Sequence, residues 1–503
     1  MSAPRLPTAF MLHALGSSRR EFDGVAERLA DVFDVVALDL PGFGDRGGEG
    51  GTASGTTVEA MRDDVLGRIR AHGATRWILV GHSMGGKVAS TVAATVMAGA
   101  PGVFGLAGVV LLAASPPVPE PMEESRRDEM LGWATADGGG LRAHLDADAA
   151  RTFVDANVGS PLPAALDEAA TTDVQRASGE AWADWLTRGS REDWSPAVGV
   201  LRLPALIVAG GADGDLGAPA QHELNGAVYP LARFATLEGA GHMLPLERPD
   251  EVAELIRAFW ADRAGHAPVI PEPVVATIAG GHTSARTRAI LAGRALADDP
   301  DYEPAVLSAA QLTTLRAVAD RVVPQGSAPI DLAARVDAQI AAGEGDGWRN
   351  ADLPPDAAAY RIGLDGLAGF ADLSPEEQDA RIADIVDGSF VPPHGDSSAG
   401  DAGGAGGSGG AGGSGRSDGS GGSDGSDGSD GSAGRVFDAS RMTIWFEDAR
   451  VDLVRQWLSH PATMARIGFD GFANGGDGAR TQGFQLLGAD QREGWEPTME
   501  GTR

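Results

Sequence analysis

Between residues 6 and 265, short apolar runs alternate with longer stretches in which apolar side chains return every three or four positions. The short runs, 8–12, 35–38, 77–80, 109–113, 205–209 and 233–237, are rich in leucine or β-branched residues and have the length of buried strands. Between them Val58, Met61, Val65 and Ile69 fall on one helical face, and Val252, Leu255, Ile256 and Phe259 do so after Pro249. Strands alternating with amphipathic helices predict βαβ units around a mostly parallel sheet, an α/β fold for residues 1–265.

Beyond residue 304 the pattern is helical throughout. Ser308 and Gln311 have capping-box spacing ahead of Leu312, Leu315, Val318 and Val322, and Ser374, Pro375 and Glu377 open a second helix ahead of Ile382 and Ile385. Residues 304–503 are therefore expected to form a mainly helical domain, and residues 266–303, rich in Pro, Ala, Gly and Arg with no sustained period, a linker. Inside the helical domain, residues 397–434 are almost wholly Gly, Ser, Ala and Asp, which cannot repay the entropy of ordering; a flexible insertion is expected there.

Five hundred and three residues with 43% hydrophobic and 22% charged side chains suffice for a core in each of two units. Forty basic against seventy-one acidic residues leave a net charge of −31, which repels phosphate backbones and anionic bilayers, so neither nucleic acid nor membrane is expected as a partner. The absence of cysteine removes disulfides, thiolate nucleophiles and cysteine-held metals, and no cofactor is expected. Lys87 is the only lysine. The first seven residues lack the basic and apolar segments of a secretory signal, and the most apolar stretch, 103–114, is too short to span a bilayer; a soluble, cytoplasmic protein is expected.

Gly81-His82-Ser83-Met84-Gly85 matches G-x-S-x-G, the pattern of a nucleophile on a tight strand-to-helix turn. In so glycine-rich a chain the pattern alone says little, since 406–410, 415–419 and 421–425 match it too. Only Ser83 follows a buried strand and precedes a helix of small residues, where glycines let strand and helix almost touch. With this context, residues 1–265 resemble a serine-type α/β-hydrolase, and four more segments match in chain order. They are His13 to Ser18, like the loop supplying one oxyanion donor; Asp39 to Gly44, like the Gly-rich turn; Gly210 to Asp213, where the triad acid sits; and Gly239 to His242, where the base sits.

The resemblance implies Ser83 as nucleophile, His242 as general base and acid, Asp213 as the group that orients the imidazole, and the backbone N–H groups of Leu15 and Met84 as oxyanion donors. Asp215 is the rival acid. His13 and His82 read as neighbours of the chemistry, and Ala14 stands where the family most often has glycine. Residues 118–202 resemble the helical cap of this superfamily; their sixteen acidic residues against eight arginines disfavour strongly anionic substrates. A small neutral or apolar ester-like substrate is expected, with ester hydrolysis, C–C cleavage and perhydrolysis all open to the same triad.

In the helical domain, Ala319 to Pro324, Tyr360 to Leu364, Phe370 to Gln378 and the stretches at 468–471 and 483–488 resemble the gluconate 2-dehydrogenase subunit 3 family. Those proteins are helical accessory subunits of flavin-dependent dehydrogenases of the glucose–methanol–choline type and bind no flavin themselves. The resemblance implies a binding module for a flavoprotein; Trp348, Trp445, Trp457 and Trp495 are candidate surface anchors because tryptophan is enriched at interfaces, with core packing expected for at least two of them. Two functions follow: a serine hydrolase with a helical appendage, or a non-catalytic accessory subunit whose hydrolase fold is only a scaffold.

Overall fold

The computed structural model describes residues 5–48, 55–326, 328–344, 350–391 and 436–469, and between 471 and 496 residues 471–472, 476–477, 486, 488 and 491–496. The expected insertion at 397–434, Trp348 and most of 483–488 lie outside the described residues. Two compact units are present: residues 1–302 with 326–330 and 457–503, and residues 303–325 with 331–456.

The first unit is built on six strands: β1 (Thr8–Leu12), β2 (Asp34–Leu38), β3 (Trp77–His82), β4 (Leu106–Leu112), β5 (Ala205–Gly210) and β6 (Ala232–Leu237). They pair in the order β2-β1-β3-β4-β5-β6, every pair parallel. Because side chains alternate across a strand, each strand feeds two cores. Phe10, Leu12, Leu79, Val109, Leu111 and Ile207 pack on one face against the helices Val58–His72 and Met84–Met97. Met11, Ile78, Val80, Val110, Leu112 and Val208 pack on the other against the helices Asp23–Leu29 and Pro249–Asp262. The parallel register brings the C-terminal ends of β1, β3, β4 and β5 to one edge, with Leu12 beside Gly81 and His82 beside Leu112. The strand order reverses between β1 and β3, and in such sheets that crevice is where ligands sit.

Residues 266–303 differ from the linker expected of them. They hold two helices, Glu272–Ala279 and Ala285–Arg294, whose Val274, Val275, Ile278, Leu291 and Ala292 form a third apolar cluster with Phe104, Ala465 and Phe472. At eight and ten residues, with Gly280 and Gly281 between them, these helices are too short to print a sustained period. Arg288 is buried among them and donates to the carbonyls of Ile278, Gly280 and Thr283 at 2.8 to 3.0 Å, pinning the end of the first helix. The chain thus returns to the first unit after residue 456, where the helical domain was expected to run on.

The second unit is helical, with Ala309–Val322, Leu332–Ala342, Asp356–Asp365, Pro375–Val386 and most of Ala439–Leu458. Both expected capping boxes form, at Ser308 with Gln311 and at Ser374 with Glu377. Within this unit Tyr360 packs edge-on to Trp445 and donates to Asp452 at 2.7 Å, and Phe370 is buried. Among the described residues no helix is long and apolar enough to cross a membrane.

Candidate active site

Ser83 stands between the end of β3 and the helix Met84–Met97 with φ 49° and ψ −120°, a strained backbone for a residue with a Cβ. The turn is held from three sides: Ser83 N–H donates to Leu112 O at 3.0 Å, and Ser83 O accepts from Ser115 N–H at 2.9 Å and Gly86 N–H at 2.8 Å. Its glycines are required by space. A Cβ on Gly81 would lie 2.5 Å from Gly85 O, one on Gly85 2.2 Å from Leu12 O, and one on Gly86 2.3 Å from Ala114 Cβ. Strand and helix therefore meet backbone to backbone beside the end of β1.

The β1 loop follows directly. His13 is fully buried; its Nδ1 donates to Ala14 O at 2.7 Å and its Nε2 accepts from Leu40 N–H at 3.0 Å. Ser17 N–H also donates to Ala14 O, at 3.2 Å. With that carbonyl held by two donors, the Leu15 N–H on the same peptide plane points the opposite way. Neither Leu15 N–H nor Met84 N–H finds a backbone acceptor among the described residues. Ala14 needs no glycine: among the described non-glycine residues only Ser83 and Ala113 have positive φ.

Asp213 follows β5 and His242 follows β6. Their loops touch closely enough that a Cβ on Gly210 would lie 1.9 Å from Gly241 O. His242 Nδ1 donates to Asp213 Oδ2 at 2.7 Å, while Asp213 Oδ1 accepts from the N–H groups of Asp215 and Leu216, each at 3.2 Å. Burial pushes the Asp213 carboxyl up, but His242 and these donors outweigh it and hold the group below its ordinary range. Burial likewise pulls the His242 imidazole down; Asp213, and then Glu120 and Glu21, outweigh it and set it above 6.5. Asp215 turns elsewhere, 3.9 Å from Arg126.

Ser83, Asp213, His242 and Leu15 line one cleft, and Met122, Met130, Phe153 and Trp185 from residues 118–202 supply much of its apolar wall. Among the described residues the His242 ring bonds to Asp213 through Nδ1 and makes no hydrogen bond to the Ser83 hydroxyl, as is common before a substrate tightens such a site. Met84 N–H opens the helix behind Ser83.

Several residues at the site escaped the sequence reading. Glu120 lines the cleft, and burial pushes its carboxyl up against the pull of Lys87 and His242. Asn157 O accepts from His242 N–H at 2.8 Å, so the far end of the helix Ala147–Asn157 holds the histidine loop. Glu21, buried, meets His82 Nδ1 at 2.9 Å. Lys87 Nζ donates to Gly189 O and Glu192 O, each at 3.0 Å, and its being the only lysine was the one available signal. The contact of Glu21 with His82, 61 positions away, leaves no local pattern. Among the described residues no group of three or more His, Asp or Glu side chains is placed to hold a metal.

The profile of the alpha/beta hydrolase family matches residues 9–255. The chain is similar to a pimeloyl-[acyl-carrier protein] methyl ester esterase of Neisseria meningitidis serogroup A, 28% identical over 280 residues that cover 55% of this chain and 82% of that protein. It is also 28% identical over 261 residues to a 2-succinyl-6-hydroxy-2,4-cyclohexadiene-1-carboxylate synthase of Serratia proteamaculans, covering 50% of this chain and 92% of that one. Among solved structures, an esterase from Exiguobacterium antarcticum is 18% identical, with a TM-score of 0.44 over 51% of this chain and 92% of its own. The all-parallel sheet, the strained serine turn and the family match together make the N-terminal half of this chain an α/β-hydrolase domain, and the protein an esterase-like hydrolase.

Proposed function

We propose that this protein hydrolyses a small neutral or apolar ester through an acyl-enzyme on Ser83. The observation that carries the reading is the 2.7 Å bond from His242 to Asp213 on the wall of the cleft that Ser83 also lines. Ser83 Oγ attacks the ester carbonyl as its proton passes to His242 Nε2, the ring nitrogen that Asp213 leaves free. Oxygen charge develops toward the N–H groups of Leu15 and Met84, a donation worth about 3 kcal/mol each. His242 returns the proton to the departing alcohol; water then gives a proton to the same nitrogen as its oxygen bonds to the acyl carbon, and His242 passes that proton to Ser83 Oγ as the acyl–Oγ bond breaks and the acid leaves. Methionine and aromatic walls suit an apolar group, and Glu120, Asp213 and Asp215 against Arg126 make an acidic cleft unfavourable to anions. The family match and an esterase among the relatives support the hydrolase reading.

The test is turnover of p-nitrophenyl acetate and butyrate by the wild type and Ser83→Ala. Loss of at least about 10³-fold in kcat is expected, and an unchanged rate would remove Ser83 from the chemistry. For the helical unit, the motif resemblance supports a binding module for a flavin-dependent dehydrogenase. A flavin-coloured protein should then co-purify with the full chain from its native host, and a colourless isolate would count against that role.

A further inference from the structure

We propose that Glu21 is a positioning residue of this active site, its single carboxylate fixing the oxyanion-side loop directly and the backbone of His242 through His82. The inference rests on the reading of Ser83, His242 and Leu15 given above.

The geometry is a chain of three contacts. Glu21 Oε1 accepts the N–H of Ala14 at 3.3 Å, one residue before Leu15, which lines the cleft. The same oxygen meets His82 Nδ1 at 2.9 Å. His82 Nε2 lies 2.8 Å from the carbonyl oxygen of His242 itself. A carbonyl can only accept, so Nε2 carries a proton and donates. Both Glu21 and His82 are buried, at 4% and 1% exposure, and the two histidine rings lie 5.4 Å apart. One side chain from the turn Arg19–Phe22 therefore touches the loop after β1 and, through the residue next to the nucleophile, the loop after β6.

Stability is a poor reason for this arrangement. A buried carboxylate–imidazole contact commonly does no better than apolar residues of equal volume, because desolvation offsets what the contact gains. What the pair supplies is fixed direction: the Ala14 to Leu15 peptide and the main chain of His242 are both set against one point near Ser83. Burial raises the Glu21 carboxyl, but His82, and more weakly His13 and the Ser17 hydroxyl, hold it below its ordinary range, so it stays an acceptor. A shift of about 1 Å in either loop would misplace the base or the oxyanion donor and cost about 10²-fold in rate, while substrate contacts with the cap wall stay as they were.

The experiment uses the full chain with p-nitrophenyl butyrate, the active sites titrated by the p-nitrophenol burst and folding checked by thermal melt. Glu21→Ala and His82→Ala are each expected to lower kcat per titrated site by about 10- to 100-fold with KM little changed. Glu21→Gln keeps an acceptor for Ala14 N–H, and His82→Gln keeps an N–H for the His242 carbonyl; each is expected to restore most of the loss. The double alanine variant should lose much less than the product of the two single losses, because both act on the same chain of contacts. If Glu21→Ala does not fold, the His82→Ala and His82→Gln pair carries the same test. A kcat per site near the wild-type value in the folded alanine variants, or no recovery in the glutamine variants, overturns the inference while leaving Ser83 turnover intact. Wild-type turnover that does not depend on Ser83 overturns both this inference and the hydrolase reading.

Discussion

Asp213 and Asp215 stand two residues apart on one loop, yet only Asp213 reaches His242, because its other oxygen is locked by the N–H groups of Asp215 and Leu216. Asp213→Asn is accordingly expected to cut kcat by about 10⁴-fold, since an amide no longer favours the tautomer with the proton on Nδ1. Asp215→Asn should leave kcat within about threefold, because its carboxylate pairs with Arg126 at 3.9 Å rather than with His242. Initial rates on p-nitrophenyl esters check both. The pH dependence follows from the same pair. His242 must be neutral to accept the Ser83 proton, and its environment sets it above 6.5. The rate therefore falls as pH drops through that raised value, and kcat/KM plotted against pH should show an acidic limb whose midpoint lies above 6.5. A midpoint below it would mean that Asp213 does not hold the imidazole as drawn.

At the scale of elements, the strand-to-helix turn works because backbone meets backbone, and the sequence announced this through Gly81, Gly85 and Gly86. Gly85→Ala places a methyl 2.2 Å from Leu12 O, so the helix must move away from β1 and esterase activity is expected to be lost. Gly67 offers the contrast: it lies within Val58–His72 with nothing within 4 Å of an added Cβ, so Gly67→Ala should stabilise the protein by about 1 kcal/mol in a denaturant titration. The six strands were legible because each is a short apolar run closed by turn residues, and the parallel register followed from the helices between them. That Ser83, Asp213 and His242 would meet at one cleft was legible because each follows a strand in a glycine-rich segment. Glu21 and Lys87 were not, because their partners come from elements remote in the chain and no spacing encodes them.

For the whole molecule, the sequence suggested one boundary near 266 and another near 304, whereas residues 457–503 rejoin the first unit. The composition misled for a physical reason: an eight-residue helix that buries only Val274, Val275, Thr277 and Ile278 looks like a linker until Phe472 and Ala465 are seen to complete its cluster. Phe472→Ala is expected to destabilise the first unit by about 3 to 5 kcal/mol, seen as an earlier thermal loss of esterase activity. The proposed activity requires Ser83 to be the activated nucleophile of the protein. The direct measurement is peptide mapping by mass spectrometry after reaction with a fluorophosphonate. One adduct on the peptide containing Ser83, formed much more slowly in His242→Ala, is the expected result. An adduct on another residue, or equal labelling of Ser83→Ala, would contradict it.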